Sequence, residues 1–92
     1  MTFLIQYADE VLKEDIPNLS SDVKTRIRSA IEKKLTNEPE HFGKPLRKSL
    51  KGYRKLRVGD YRVIFRIENT VVKVFAIGHR SEIYRDTRKR LS

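Results

Sequence analysis

The feature that most constrains this chain is a hairpin signal in residues 53–67. Positions 53–58 and 61–67 alternate in the period-two manner of strands, and Gly59-Asp60 stands between them. A two-residue loop with glycine first is typical of a type II′ turn, which matches the twist of the strands that it joins. Such a turn fixes the register, so the pairing of every residue in the hairpin is predicted from this sequence alone.

The register sorts the side chains of the hairpin into two faces. The mostly apolar face pairs Val58 with Tyr61, Leu56 with Val63, and Arg54 with Phe65. The cationic face pairs Arg57 with Arg62, Lys55 with Ile64, and Tyr53 with Arg66. Like charges directly opposite each other in a sheet cost a few tenths to about 1 kcal/mol. We expect an anionic ligand to relieve the repulsion between Arg57 and Arg62.

The charge of the whole chain favours the same kind of ligand. The 92 residues carry a formal net charge of +9, and such a balance favours polyanions through counterion release. A solvated strand face is the plain alternative, and an acidic protein or a membrane surface would also suit a basic chain. Cations interleaved with aromatic and apolar residues suit single-stranded RNA better than a rigid duplex. We therefore predict RNA contacts from Lys44, Arg47, Lys48, Lys51, Tyr53, Arg57, Arg66 and Lys73.

Length and composition exclude several classes of protein. A chain of 92 residues predicts a single domain spanning 1–92. Without cysteine it has neither disulfides nor thiolate chemistry. No apolar run approaches the roughly 18 residues of a membrane span, and no signal core is evident at the N-terminus. We expect a cytoplasmic protein with no membrane partner, no cofactor and no metal.

The remaining segments predict an α+β fold. Thr2–Tyr7 reads as a strand, a short helix runs from Asp9 until Pro17 stops it, and a second helix begins near Ser20 or Ser21. Val71–Ile77 reads as a strand, and Arg85–Leu91 as a basic helical tail. The expected order is β-α-α-β-β-β with a short C-terminal helix: two helices on one face of a small, mainly antiparallel sheet.

The predicted strand Val71–Ile77 adds residues to both faces of the hairpin. With Asn69-Thr70 as a two-residue loop, Val72, Val74 and Ala76 are expected on the apolar face. The alternate residues are expected on the side of Arg62 and Arg66: Lys73, Phe75, Ile77 and His79. His79 lies beside Arg80 and near Tyr84, so it can exchange protons near neutrality within a cationic site. The plain alternatives are a structural histidine and a core tyrosine.

Two segments together resemble a known family. LKGYRKLRVGDYRVIFRI, followed after a strand by IGHRSEIYR, is similar to the RelE/ParE superfamily of toxins, in particular its RelE-type branch. The resemblance implies a RelE-like fold, a toxin neutralised by a cognate antitoxin, and cleavage of messenger RNA on the ribosome. It implies that Arg62 and Arg80 contact the scissile phosphate, that Lys55 is catalytic, that Tyr84 stacks on RNA and assists, and that His79 is a general acid or base. Tyr53 stands where the best-studied branch has a further lysine.

Cleavage of RNA without a metal needs few groups. A 2′-hydroxyl attacks the adjacent phosphorus, so one group must remove its proton, cations must stabilise the added charge, and an acid must protonate the leaving 5′-oxygen. Arg62 and Arg80 can supply the charge. Lys55 or His79 can take the first proton, and the other, or Tyr84, can supply the last. Spacing in the sequence leaves the base and the acid unassigned.

Other functions fit the same residues. The superfamily also contains ParE-like inhibitors of DNA gyrase, which bind their target and are not nucleases. An inactive module that binds RNA or protein is a further alternative. We expect an acidic antitoxin segment to lie across the cationic face or to displace the tail Arg85–Leu91.

Overall fold

The hairpin signal forms the centre of a five-stranded sheet. In a computed structural model that describes residues 2–92, the strands are β1 (Leu4–Tyr7), β2 (Lys44–Pro45), β3 (Arg54–Val58), β4 (Tyr61–Glu68) and β5 (Val71–His79). Their spatial order is β1-β5-β4-β3-β2. β1 is parallel to β5 and the other pairs are antiparallel. The α+β class and the mainly antiparallel sheet are as predicted.

The register predicted for the first hairpin is confirmed. Arg57 pairs with Arg62 and Lys55 with Ile64, and every other predicted pair from Arg54 to Val58 is also present. Gly59 has a φ of 60°, a conformation that glycine adopts without steric cost. The glycine at the first loop position therefore sets the turn, and the turn sets the two faces of the ribbon.

Two helical segments cover one face of the sheet. The first occupies residues 9–18 and contains a π-helical turn (Val11–Asp15) and a 3₁₀ turn (Ile16–Asn18). The second is α1 (Ser21–Ala30), which continues as a π-helical turn through Leu35. Pro17 does not stop the first segment as predicted, because proline is tolerated in the opening turn of a helical segment.

The second helix begins and packs as its periodicity predicts. The side chain of Ser20 accepts a hydrogen bond of 3.3 Å from the backbone N–H of Val23, so Ser20 is the N-cap. Ile27, Ile31 and Leu35 are buried in the core between this helix and the sheet. The apolar stripe of the helix thus meets the apolar face of the hairpin.

A β-bulge in β5 changes the faces of its last residues. Phe65 pairs with Val74 and Ile64 with Ala76, so Phe75 is an extra residue on β5. Beyond it the alternation is reversed. Ile77 packs in the helix-side core, and Ala76 packs on the other face against Ile64. The predicted sides of Ala76 and Ile77 were therefore wrong, since the expected alternation contained no extra residue.

A third helix covers part of the opposite face. After the short α2 (Pro39–Phe42) and a 3₁₀ turn (Lys48–Leu50), α3 spans Ile83–Leu91, so the helical tail begins two residues before the predicted start. Ile83 is buried there with Ile64 and Ala76. No helix among residues 2–92 is both long enough and apolar enough to cross a membrane.

Candidate functional site

Arg62 is held against the turn of the first hairpin. Its Nη1 atom donates hydrogen bonds to the backbone oxygens of Gly59 (3.0 Å) and Tyr61 (2.9 Å). Arg57 is its cross-strand partner, as predicted. Bonding to two carbonyl oxygens fixes the guanidinium at the tip of the hairpin without neutralising its charge, because both acceptors are uncharged.

Arg80 reaches the same turn from the end of β5. Its backbone N–H donates a hydrogen bond of 2.8 Å to the oxygen of Asp60. Its side chain is 63% exposed, and Nε lies 3.9 Å from Oδ1 of Asp60. An ion pair this long and this exposed is weak, so the guanidinium remains able to bind another anion. The structure therefore brings Arg62 and Arg80 to one turn.

Lys55 and Tyr84 meet on the face that carries Arg62. Lys55 Nζ lies 5.6 Å from the centroid of the Tyr84 ring, within cation–π range. Lys55 pairs with Ile64, which lies two positions after Arg62 in β4, so Lys55 and Arg62 share a face of the sheet. Tyr84 reaches this face from the first turn of α3. The structure therefore brings together two of the residues predicted to be catalytic, Lys55 and Tyr84.

His79 lies on the opposite face of the sheet from Arg62. It pairs with Tyr61, and the two rings are 5.6 Å apart in an edge-on arrangement. Tyr61 packs at the border of the helix-side core, and neighbouring strand residues point to opposite faces. The prediction that His79 shares the side of Arg62 and Arg66 was wrong, because the bulge at Phe75 reverses the end of β5.

The hydrogen bonds of His79 define its neutral tautomer. Nδ1 accepts from the backbone N–H of Ser81 at 3.2 Å and lies 2.8 Å from the Ser81 hydroxyl oxygen. A ring nitrogen that accepts an N–H carries no proton of its own, so the proton of the neutral ring is on Nε2. His79 thus forms hydrogen bonds with the segment that follows β5, and its role as a general acid or base stays a prediction.

The far end of the cationic face contains an acid. Glu68 forms an ion pair with Arg66 and another, of 3.2 Å, with Lys73. Hydrogen bonding to Lys73 is the main cause of a lowered pKa of Glu68. Arg66 also lies 5.5 Å from the ring of Tyr53, beside a cavity of about 220 Å³. Tyr53, Arg66 and Lys73, all predicted to bind RNA, therefore lie together.

The other predicted RNA contacts lie in the loop before the hairpin. Lys44 pairs with Lys55 across β2 and β3, which puts it beside the Lys55–Tyr84 pair. Arg47, Lys48 and Lys51 surround the 3₁₀ turn. Their part in RNA binding stays a prediction.

One arginine at the turn was missed by the sequence analysis. Arg26 projects from α1, and its guanidinium lies against Gly59. A Cβ built on Gly59 would lie 2.9 Å from Nη2 of Arg26. Periodicity assigns Arg26 to the polar side of a helix but does not show which strand that helix crosses.

A larger cavity lies away from these groups. Its volume is about 520 Å³, and it is bounded by the first helical segment and α1, with Tyr7, Leu12, Ile16 and Glu32 in its lining. Burial is the main cause of a raised pKa of Tyr7, and the nearby carboxylate of Glu32 adds to it. Within residues 2–92, no three His, Asp or Glu side chains are grouped as metal ligands would be.

Solved structures share this architecture. The chain superposes with a TM-score of 0.81 and 27% identity on the Mycobacterium tuberculosis RelBE2 toxin–antitoxin complex, over 87% of this chain and 100% of the other. A free mutant of Escherichia coli toxin RelE gives a TM-score of 0.73 at 24% identity over all of both chains. The fold is therefore that of the RelE toxins. The chain belongs to the family described as ParE toxin of type II toxin-antitoxin system, parDE, which matches residues 5–84.

Curated relatives carry RelE-type names. The chain is 45% identical over 53 residues to toxin RelG of M. tuberculosis, in a match that covers 55% of this chain and 61% of the relative. It is 43% identical over 53 residues to toxin RelE of the same organism, covering 55% of each. The chain thus matches about three fifths or less of the length of these relatives.

Proposed function

We propose that this protein is the toxin of a toxin–antitoxin pair and a ribosome-dependent endoribonuclease that cleaves messenger RNA. The observation that carries the proposal is the joint position of Arg62 and Arg80 at the Gly59–Asp60 turn. Two guanidinium groups beside one turn suit the dianionic charge that develops on a phosphate under attack. The RelE-type relatives support the same class of activity.

The cleavage step balances without a metal. The 2′-oxygen forms a bond to phosphorus, the bond from phosphorus to the 5′-oxygen breaks, and the products are a 2′,3′-cyclic phosphate and a 5′-hydroxyl. Arg62 and Arg80 stabilise the intermediate charge. Lys55 and Tyr84 exchange the two protons, one taking that of the 2′-hydroxyl and the other supplying that of the leaving oxygen. Their contact on the face of Arg62 favours them over His79 for this work.

The proposed partners follow from the charge of the protein and from its structural relatives. Solved relatives include RelB–RelE complexes from Pyrococcus horikoshii and Methanococcus jannaschii. We expect an antitoxin with an acidic segment to cover the cationic face or to displace α3, since a net charge of +9 attracts such a segment. The ribosome and messenger RNA are the other proposed partners.

Expression without an antitoxin tests the activity. Induction should arrest growth, and sequencing of transcript 5′ ends should show new ends within codons of ribosome-bound messages. Arg62→Ala and Arg80→Ala should each abolish these ends while circular dichroism remains that of the parent. Growth arrest with intact transcripts would refute the nuclease.

The family match supports one other candidate. Its description names ParE, and a ParE-like protein would act by inhibiting DNA gyrase. A supercoiling assay with purified gyrase separates the two activities. Inhibition by the parent protein and by Arg80→Ala alike would favour the gyrase candidate, because the proposed phosphate contact would then be unnecessary.

A further inference from the structure

We propose that Arg26 of α1 is a third phosphate-binding arginine at the Gly59–Asp60 turn, and that it binds a phosphodiester neighbouring the scissile one in the same RNA strand. This inference deepens the proposed function and rests on it. It extends the site from the cationic face around the tip of the hairpin to the helix side. Arg26, Arg62 and Arg80 together form a turn cluster.

The turn cluster converges on a single loop from different elements. Arg26 comes from α1, which packs on the helix side of the sheet, and its guanidinium approaches Gly59. Arg62 comes from β4 and donates to the oxygen of the same glycine at 3.0 Å. Two guanidinium groups therefore contact one residue, although their backbones lie in different layers of the fold.

Gly59 makes this approach possible. A Cβ at this position would meet Nη2 of Arg26 at 2.9 Å, closer than ordinary van der Waals contact allows. The positive φ of Gly59 is a separate reason for glycine, because the type II′ turn requires it. The turn thus leaves space for the arginine above it.

The turn cluster is poorly neutralised. Across residues 2–92, Asp60 is the single carboxylate within 4.0 Å of a guanidinium nitrogen of these arginines, and it approaches Arg80 alone, at 3.9 Å. Arg57, opposite Arg62, adds a further positive charge. Gathering like charges costs free energy in the unbound protein, and a polyanion removes that cost.

The geometry favours a strand of RNA over an isolated anion. Arg62 and Arg80 approach the turn from the cationic face and from the end of β5, while Arg26 approaches it from the helix side. Because Arg26 and Arg62 approach the hairpin tip from different faces, we expect them to bind different phosphates. A backbone that passes over the tip presents successive phosphates to both sides, which matches the way cationic grooves follow single strands.

Salt dependence of RNA binding tests the inference with matched variants. The probe is a fully 2′-O-methylated RNA oligonucleotide, which cannot be cleaved because it has no free 2′-hydroxyl. For single strands, the slope of log K against log salt is about −0.7 per phosphate contacted. Arg26→Gln should reduce the magnitude of the slope by about 0.7. Arg28→Gln, with the same charge change on the same helix but beside the large cavity, should leave the slope unchanged.

A series of oligonucleotides locates the phosphate. Each carries one uncharged methylphosphonate linkage. At the linkage that Arg26 binds, the methylphosphonate should weaken RNA binding by the parent protein. It should have little further effect on RNA binding by Arg26→Gln. A different linkage should be the one at which a methylphosphonate has no further effect on RNA binding by Arg62→Ala. Coincidence of the two linkages would overturn the proposal of separate phosphates.

The outcomes separate this inference from the proposed nuclease. Equal slopes for Arg26→Gln and the parent, with a reduced slope for Arg62→Ala, would overturn the role of Arg26 alone. A parent protein that binds no RNA at low salt would overturn both. An effect of Arg26→Gln on affinity for ribosomes, without any effect on the free strand, would assign the contact to ribosomal RNA and overturn the same-strand proposal.

Discussion

The carboxylate of Asp15 and the guanidinium of Arg90 form a two-point ion pair that ties the end of α3 to the first helical segment. Nη2 donates to Oδ1 at 2.6 Å, and Nη1 donates to Oδ2 at 2.8 Å. The two side chains are 11% and 16% exposed. Hydrogen bonding to Asp15 is the main cause of a raised pKa of Arg90. α3 is thereby fixed to the opposite layer of the protein.

The same pair satisfies backbone groups at the β-bulge and just after it. Asp15 Oδ2 accepts from the N–H of Ile77 at 2.9 Å, and Arg90 Nη1 donates to the oxygen of Phe75 at 3.1 Å. β1 pairs with β5 only up to Val74, so these groups have no strand partner on that edge. Side chains take the place of a strand there, as buried backbone groups require.

Removal of one partner should destabilise the protein. Asp15→Asn should lower the free energy of unfolding by about 2 to 3 kcal/mol, because a nearly buried guanidinium then faces an amide in place of a carboxylate. Urea denaturation measures the change. Arg85→Gln, which breaks an exposed pair with Asp86, should change the free energy by no more than about 0.5 kcal/mol.

A double variant checks that the pair acts as a unit. Asp15→Asn combined with Arg90→Gln should cost less than the sum of the single changes, because the single variants each leave a polar group without its partner. Strict additivity would show that the two side chains contribute independently.

The half-buried side chain of Tyr7 should make the stability of the protein fall at alkaline pH. Its pKa is raised in the folded state, mainly by burial, so above pH 10 the unfolded chain loses this proton while the folded chain keeps it. Unfolding then releases a proton, and stability from this group falls as pH rises through that range. Tyr7→Phe should unfold with a shallower loss of stability between about pH 9 and 11. Equal slopes for the parent and Tyr7→Phe would contradict the assignment.

The two faces of the sheet predict which titratable residues matter for cleavage. Lys55→Ala and Tyr84→Ala should each slow single-turnover cleavage on programmed ribosomes by about 10² to 10⁴-fold, as loss of a general acid or base does. His79→Gln should stay within about tenfold of the parent, because its ring lies against Tyr61 on the other side. Tyr84→Phe separates proton transfer from stacking. A loss in His79→Gln that exceeds the loss in Lys55→Ala would reverse the assignment.

A glycine before β2 should resist substitution for a packing reason. A Cβ on Gly43 would collide with the ring of Phe65, a side chain that is fully buried. Gly43→Ala should therefore cost about 1 to 3 kcal/mol of unfolding free energy through overpacking. Combining it with Phe65→Leu should cost less than the sum of the two changes. Full stability of Gly43→Ala would show that the loop moves freely.

Local patterns in the sequence determined the parts of the fold that depend on near neighbours. The Gly59-Asp60 loop set the register of the first hairpin, and apolar spacing set the buried face of the second helix. Both depend on side-chain periodicity and turn geometry within a few residues. The cationic character of the face with Lys55 and Arg62 follows from that register, so the sequence alone predicted it.

Tertiary structure decided what depends on residues distant in the chain. The extra residue Phe75 reverses the end of β5 and moves His79 away from Arg62. The Asp15–Arg90 pair forms hydrogen bonds with the backbone of Phe75 and of Ile77. α1 crosses the hairpin so that Arg26 reaches Gly59. Neither arrangement leaves a local signal, because each is selected by packing and hydrogen bonding between segments that meet only in the folded protein.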